Sequence, residues 1–211
     1  MKNTGCIFSA LLLTTGLLGQ MDLAGGAEIG RHDPDNFDKH RNPSALITGF
    51  QLALIHPVQL FSESCDVYGL RLDLLYGKNA ALNGMDLGVV NQLRDDMCGV
   101  QIGAANFSGP MYGMQLGVLG VASGEMIGWQ LSGVNISRTS AAGLQTGLVN
   151  VGGGYDGLQI GGFNYAEDYN GLQLGVINVC HSMSGVQIGA LNFILNGPFL
   201  VFCPVFNFCF W

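Results

Sequence analysis

Apolar and polar residues recur in a fixed order every 14 or 15 residues between residues 69 and 193. In each copy, positions 2, 4, 7 and 9 are almost always apolar, and Gln at position 3 and Asn at position 8 occur in seven copies each. Nine copies are present, and the glycines that begin them are Gly69, Gly84, Gly99, Gly113, Gly128, Gly143, Gly157, Gly171 and Gly185. The sequence therefore predicts an array of nine equivalent units, numbered here as repeats 1 to 9.

Two short strands are predicted in each repeat. Apolar residues at positions 2 and 4 alternate as in a strand, and those at positions 7 and 9 alternate again with the phase shifted by one residue. A straight strand cannot hold all four on one side, so we expect a bend near position 5, where seven repeats have glycine. With that bend, we expect all four apolar side chains to be buried.

A single repeat is too small to fold alone, because burying four side chains does not offset the conformational entropy of ordering the whole unit. We therefore predict an all-β fold, a β-solenoid of about nine 14–15-residue coils. At about 4.8 Å per coil, the rod would be roughly 43 Å long. The alternative is an outer-membrane β-barrel or a bulged antiparallel meander, since the apolar composition, the strand-like repeats and the aromatic C-terminus also fit it.

Equivalent side chains of stacked coils lie above one another, so the repeated amides predict ladders of hydrogen-bonded side chains. We expect the Gln column to face outward, where it either binds a ligand or forms a self-satisfying ladder, and we favour the ladder. The first two repeats carry Arg71 and Asp86 at the Gln position, as terminal repeats often differ. The predicted ladder residues are Gln101, Gln115, Gln130, Gln145, Gln159, Gln173 and Gln187, with Asn91, Asn106, Asn135, Asn150, Asn164, Asn178 and Asn192.

The N-terminus predicts an exported protein. Residues 1–27 have the features of a signal peptide: Lys2, an apolar segment at residues 6–19 and small residues before a cleavage site after Ala27. The predicted location is therefore the cell surface, the outer membrane or the extracellular space.

Three further segments flank the array. Residues 28–42 are expected to be a flexible charged leader, and residues 43–68 are expected to be N-terminal cap strands. Residues 194–211 are rich in aromatic residues and predict a C-terminal cap or terminal strand. Such a cap would cover the strand edge that the last coil leaves open.

Charge and motifs argue against nucleic-acid binding and catalysis. Lys and Arg together number 8, and Arg138 is the only one after Arg94, so the array cannot neutralise a run of phosphates. The four histidines have no metal-binding spacing to Cys, Asp or Glu. No nucleophile, general base or phosphate-binding loop can be assembled. We therefore expect no enzyme activity, no cofactor and no metal ion.

The cysteines beyond residue 27 also lack a metal-binding spacing. We interpret them as small apolar side chains of a packed interior. Disulfides between Cys203 and Cys209, or between Cys65 and Cys98, are the alternative.

The repeat motif is G-φ-Q-φ-G-x-φ-N-φ, where φ is an apolar residue; it is preceded by "PVQLFSESCDVYGLRLDLLYGKN" and followed by the aromatic tail. In these features, residues 57–211 resemble bacterial surface-repeat-containing proteins. The resemblance implies a secreted or envelope-associated protein, and it carries over no active-site residues.

We therefore predict a non-catalytic secreted or surface protein with a structural or interaction role. Its partner would be a surface or envelope component whose identity does not follow from the sequence. The fold also allows association with the outer membrane and end-to-end self-association, whereas nucleic acid is not an expected partner. The alternative function, tied to the barrel, is a pore or transport component of the outer membrane.

Overall fold

The computed structural model describes residues 46–197 and 201–210, and both the predicted signal peptide (1–27) and the charged leader (28–42) lie outside the described residues. The described part consists of strands and contains no helix, and so none that could cross a membrane. The strands are β1 (Ile47–Ile55), β2 (Val58–Gln59), β3 (Asp66–Asn79), β4 (Leu82–Leu93), β5 (Met97–Ser108), β6 (Met111–Ala122), β7 (Met126–Ile194) and β8 (Phe202–Cys209).

Neighbouring repeats pair in parallel, with equivalent positions side by side. The strand order is β2-β1-β3-β4-β5-β6-β7-β8, and all neighbours from β1 through β3 to β7 are parallel. Gly84 pairs with Gly99, and Gln101 pairs with Gln115. The predicted β-solenoid is therefore confirmed. The barrel or antiparallel meander is wrong, because consecutive strands in either would run in opposite directions.

The solenoid has about six turns when separate strands are counted, slightly fewer than the predicted nine coils. The difference arises in β7, whose 69 residues contain repeats 5 to 9 without a break. Stacking nevertheless continues within β7, since a Cβ added to Gly157 would lie 2.2 Å from the carbonyl oxygen of Gly143. The repeat period therefore still sets which residues of β7 lie above one another.

The side of each strand that faces the core is opposite to the one expected. Gln at position 3 and Asn at position 8 are fully buried wherever they occur, whereas the apolar side chains at positions 2, 4, 7 and 9 are, with few exceptions, partly or fully exposed. The expectation that these apolar positions form the core is therefore wrong. Alternation shows which residues share a side of a strand, but it does not show which side is inside.

The apolar part of the core comes from the return segments, which run from position 10 of a repeat to the next leading glycine. Two columns are buried there, one at the second residue before each leading glycine and one at position 10. The first column is Val67, Leu82, Met97, Met111, Met126, Ala141, Tyr155, Tyr169 and Met183, and the second includes Leu93, Ser108, Ala122, Ser137, Ala166, Cys180 and Ile194. The interior therefore combines an apolar side with two columns of amides.

Glycine is needed at two positions of the repeat for different reasons. The leading glycines all have positive φ, and a Cβ on any of them would lie 1.9–2.3 Å from a carbonyl oxygen of the coil below. At position 5 a side chain is a second obstacle beside the backbone, because a Cβ on Gly161 would lie 2.6 Å from both Nδ2 of Asn150 and the carbonyl oxygen of Gly147. Pairing between β5, β6 and β7 skips position 6, which is where the predicted bend lies.

The two ends of the stack are closed by antiparallel strands. β2 pairs with the end of β1, and β8 pairs with repeat 9 from Gly185 to Phe193. The rings of Phe193 and Phe202 lie 5.0 Å apart at this second end. β8 therefore covers the last repeat. Its own Phe208 nevertheless remains 58% exposed to solvent.

Candidate functional site

The seven Gln side chains form one continuous column inside the solenoid. Each Nε2 donates to Oε1 of the Gln in the preceding repeat, through six bonds of 2.7–3.0 Å that run from Gln187 back to Gln101. All seven side chains are at 0% exposure. The column faces the core, so the expectation that it faces outward is wrong, and the less favoured alternative of a ligand-binding Gln face has no exposed amide to carry it.

The Asn side chains form a second column with the opposite polarity. Asn135, Asn150, Asn164 and Asn178 each donate from Nδ2 to Oδ1 of the Asn in the following repeat at 2.7–2.8 Å. Each Nδ2 also donates to the carbonyl oxygen of position 4 in that following repeat at 2.9–3.0 Å. Since the two columns point in opposite directions, their amide dipoles partly cancel along the rod.

The Gln column ends on a buried charged cluster in repeats 1 and 2. Gln101 donates to Asp86 at 3.0 Å, and Arg71 donates to both oxygens of Asp86 at 2.7 and 2.8 Å. Nε of Arg71 also lies 2.9 Å from a carboxylate oxygen of Asp73, and none of the three charged side chains is exposed. A carboxylate complements this end, because the N–H groups of the whole Gln column point toward it.

One guanidinium faces two carboxylates in this cluster, which leaves one negative charge in excess when both are ionised. Burial raises the pKa of Asp73 to about 7, although the charge of Arg71 acts to lower it. Burial also raises the pKa of Asp86, but the charge of Arg71 and the hydrogen bonds from Arg71 and Gln101 act to lower it. We therefore assign the extra proton, near neutral pH, to Asp73.

The Asn column is interrupted where repeats 4 and 5 meet. Repeat 4 has Gly120 at position 8, and Oδ1 of Asn135 in repeat 5 has no hydrogen-bond partner among the described residues. Repeat 5 carries Ser132 at position 5, where seven other repeats have glycine. At the other repeats a Cβ at position 5 meets both a backbone carbonyl oxygen and an Asn of the preceding repeat, and Gly120 removes the second of these obstacles for Ser132.

Two outer faces of the solenoid carry almost no charged side chains. Positions 2 and 4 line the first face, positions 7 and 9 line the second, and position 6 forms the corner between them. We call these five positions together the apolar wedge. Counted along the sequence, none of them is Asp, Glu, Lys or Arg. The register shift in β3 nevertheless places Lys78 beside Gln92, at position 9 of repeat 2. The most exposed side chains lie at the corner, where Leu148 is 73% and Val118 is 67% exposed. The other charged residues of the array lie inside or on the third side, formed by the return segments.

The described residues offer little reactive chemistry outside this framework. No group of three His, Cys, Asp or Glu side chains within residues 46–197 and 201–210 could hold a metal ion. Cys65, Cys203 and Cys209 are free thiols, so neither of the two disulfides considered above forms. Cys180 is also free, and it belongs to the buried apolar column.

Sequence reasoning located the ladder residues but missed the apolar wedge and the return-segment core. The missed signal is the second residue before each leading glycine, which is apolar with the same period as the motif. No protein-family model, curated protein or solved structure matches the chain, so its own fold and surfaces are the basis on which a function can be proposed.

Proposed function

We propose that the chain is an exported, non-catalytic protein of the cell envelope, with a structural or interaction role of the kind that the resemblance to surface-repeat proteins implies. The observation that carries the proposal is where the repeated polar groups lie. The Gln and Asn amides, which a binding or catalytic surface would present to solvent, are buried at 0% exposure and hydrogen-bonded to one another. What the repeats present instead is a regular apolar exterior, which supports contact with a partner rather than chemistry.

Cell fractionation tests the proposal. The full chain is produced in a bacterial host beside a control chain that begins at Glu28 and so lacks the predicted signal peptide. We expect the full chain in the envelope or extracellular fraction, degraded by protease added to intact cells if it reaches the surface, and the control in the cytoplasm. Finding both chains in the cytoplasm would overturn the proposal.

A further inference from the structure

We propose that the apolar wedge inserts into the surface of a lipid bilayer, with the solenoid axis parallel to the membrane plane and the return side facing water. We expect the headgroups of this bilayer to be zwitterionic. This inference rests on the proposed function, and it identifies the envelope partner as a lipid bilayer. It is tested on purified protein, so export of the chain does not enter the result.

The size of the wedge exceeds what a protein in water ordinarily exposes. Nine coils at about 4.8 Å, with about five residues of strand on each face, give two faces of roughly 43 by 16 Å. Contiguous apolar patches on monomers reach roughly 300–600 Å². The two faces are continuous around the corner, and together they lie beyond that range.

The shape of the wedge favours a fluid partner. Both faces enclose buried amide columns, so they meet at a convex corner whose side chains are the most exposed, including Leu74 at 64% and Val176 at 59%. A second copy could pack flat against only one face and would leave the corner in water. A bilayer can cover both faces and the corner together, as it does for interfacial apolar elements that enter it by about 5–10 Å.

The placement of charge favours zwitterionic lipids. The charged residues on the return side include Arg94 and Arg138 but also Asp95, Glu125, Asp156, Glu167 and Asp168, and the whole chain has a net charge of −7. Binding therefore cannot depend on attraction between basic residues and anionic headgroups. The apolar area must drive it, which predicts weak dependence on salt and no gain from anionic lipid.

The aromatic residues of the wedge lie mainly along its margins. Trp129 is at position 2, and Phe107, Tyr165 and Phe193 are at position 9; these positions border the return side, whereas the corner carries only aliphatic residues and glycine. Phe163, at position 7, is the exception. Aromatic rings concentrate at the level of the headgroups, with aliphatic side chains deeper. The margins thus match the depth at which the bilayer interface would cross the wedge.

Vesicle binding tests the inference. The full chain with Trp211→Phe, which leaves Trp129 as the single tryptophan, is mixed with phosphatidylcholine vesicles and analysed by flotation and by Trp129 fluorescence. We expect flotation with the vesicles, a blue-shifted Trp129 emission and quenching by brominated lipid. Neither high salt nor phosphatidylglycerol should strengthen the binding.

The decisive variants change the corner and leave the interior intact. Val118→Gln combined with Leu148→Gln should weaken the vesicle partition about tenfold or more, since two aliphatic side chains no longer enter lipid. The control Thr139→Gln with Ser140→Gln changes exposed residues of the return side and should bind as the native chain does. Far-UV circular dichroism checks that both variants fold.

Three outcomes would overturn the inference. The first is that the native chain does not float with the vesicles. The second is that the control binds as weakly as the corner variant. The third is that sedimentation shows a stable oligomer that does not bind vesicles and that the corner substitutions dissociate. The last outcome would assign the wedge to a second copy of the chain. An exported chain that fails to bind vesicles would leave the proposed function standing, whereas a vesicle-binding chain retained in the cytoplasm would overturn that function alone.

Discussion

Single residues in the interior depend on identical residues above and below them. Gln145, for example, donates to Gln130 at 2.7 Å and accepts from Gln159 at 2.8 Å. Oε1 of Gln130 and Nε2 of Gln159 have no other hydrogen-bond partner among the described residues, and water has no access to these side chains at 0% exposure. Loss of one amide therefore leaves a buried donor and a buried acceptor unpaired, and each costs about 1–3 kcal/mol.

Gln145→Met should consequently lower the free energy of unfolding by about 2–6 kcal/mol. The comparison variant is Gln187→Met at the end of the column, where Oε1 already lacks a partner. Its Nε2 donates to Gln173 and also to the carbonyl oxygen of Phe193 at 3.1 Å, so this change leaves acceptors unpaired but no buried Gln donor. Urea denaturation followed by circular dichroism measures both. A loss of less than about 1 kcal/mol for Gln145→Met would contradict a hydrogen-bonded column.

The buried carboxyl of Asp73 predicts a pH dependence of stability. Its pKa is about 7 in the folded chain against 3.8 for an ordinary aspartate. Between about pH 4 and pH 7 the folded chain retains a proton that the unfolded chain has lost, so this group makes the free energy of unfolding fall as pH rises through that window.

Asp73→Asn should flatten this slope, because the side chain no longer titrates. Urea midpoints measured at several pH values between 4 and 7 would show it, with Glu167→Gln on the exposed return side as the control. A native midpoint that rises with pH, and by the same amount in Asp73→Asn, would count against the assignment of the proton to Asp73.

At the scale of the strand pair, position 5 of one repeat and position 8 of the preceding repeat compete for the same space. A Cβ on Gly147 would lie 2.7 Å from Nδ2 of Asn135, and a Cβ on Gly175 would lie 2.6 Å from Nδ2 of Asn164. Ser132 and Gly120 are the inverted version of this pair. In this pair the side chain lies at position 5 and position 8 has none, so the Asn column is broken there.

Gly120→Asn and Ser132→Gly restore the usual residues of the repeat. We expect them to stabilise the chain only when the two changes are combined. Gly120→Asn alone should destabilise it, since a Cβ there already lies 3.1 Å from Oγ of Ser132. Combined with Ser132→Gly, the new amide can join Asn106 to Asn135 and complete the column. We expect a favourable coupling of about 1–3 kcal/mol in a double-mutant cycle of unfolding free energies.

The control for this cycle pairs Gly120→Asn with Ser140→Gly, which changes an exposed residue of the return side. Those two changes should be additive. A coupling between Gly120 and Ser132 no larger than that of the control would show that the two positions do not share the space.

At the scale of the whole molecule, the last strand, β8, has features that hinder pairing with another chain. β8 contains Pro204, which has no N–H, followed by Val205 at a φ of 70°. Its pairing with β7 shifts register at this point. Proline and a bulge in an edge strand are features that prevent pairing with another chain, so the C-terminal end is poorly suited to end-to-end growth.

Pro204→Thr should increase concentration-dependent self-association by giving the outermost strand another hydrogen-bond donor. Sedimentation velocity in a mild detergent, which covers the apolar wedge, would isolate association through the ends. Pro110→Thr, in the return segment between β5 and β6, is the matched control and should not change the sedimentation coefficient. Strong end-to-end association of the native chain would refute the protective role of Pro204.

The sequence by itself determined the repeat, the strands and the stacking. Identical residues at a fixed spacing can share one environment only when the units stack in register, and the glycines and amides then have fixed neighbours. This is why the solenoid and the residues of the Gln and Asn columns could be predicted from their positions. Even the break at Gly120 and Ser132 is visible as two departures from the motif.

Only the tertiary structure decided which side of the strands is inside. The alternation of apolar and polar residues is the same for a core of leucines and for a core of amides, and the usual preference for burying apolar residues pointed the wrong way here. Buried amides are tolerated because each finds its partners in the neighbouring coil. That contact exists only after stacking, and it is what leaves Val118, Leu148 and the rest of the wedge outside.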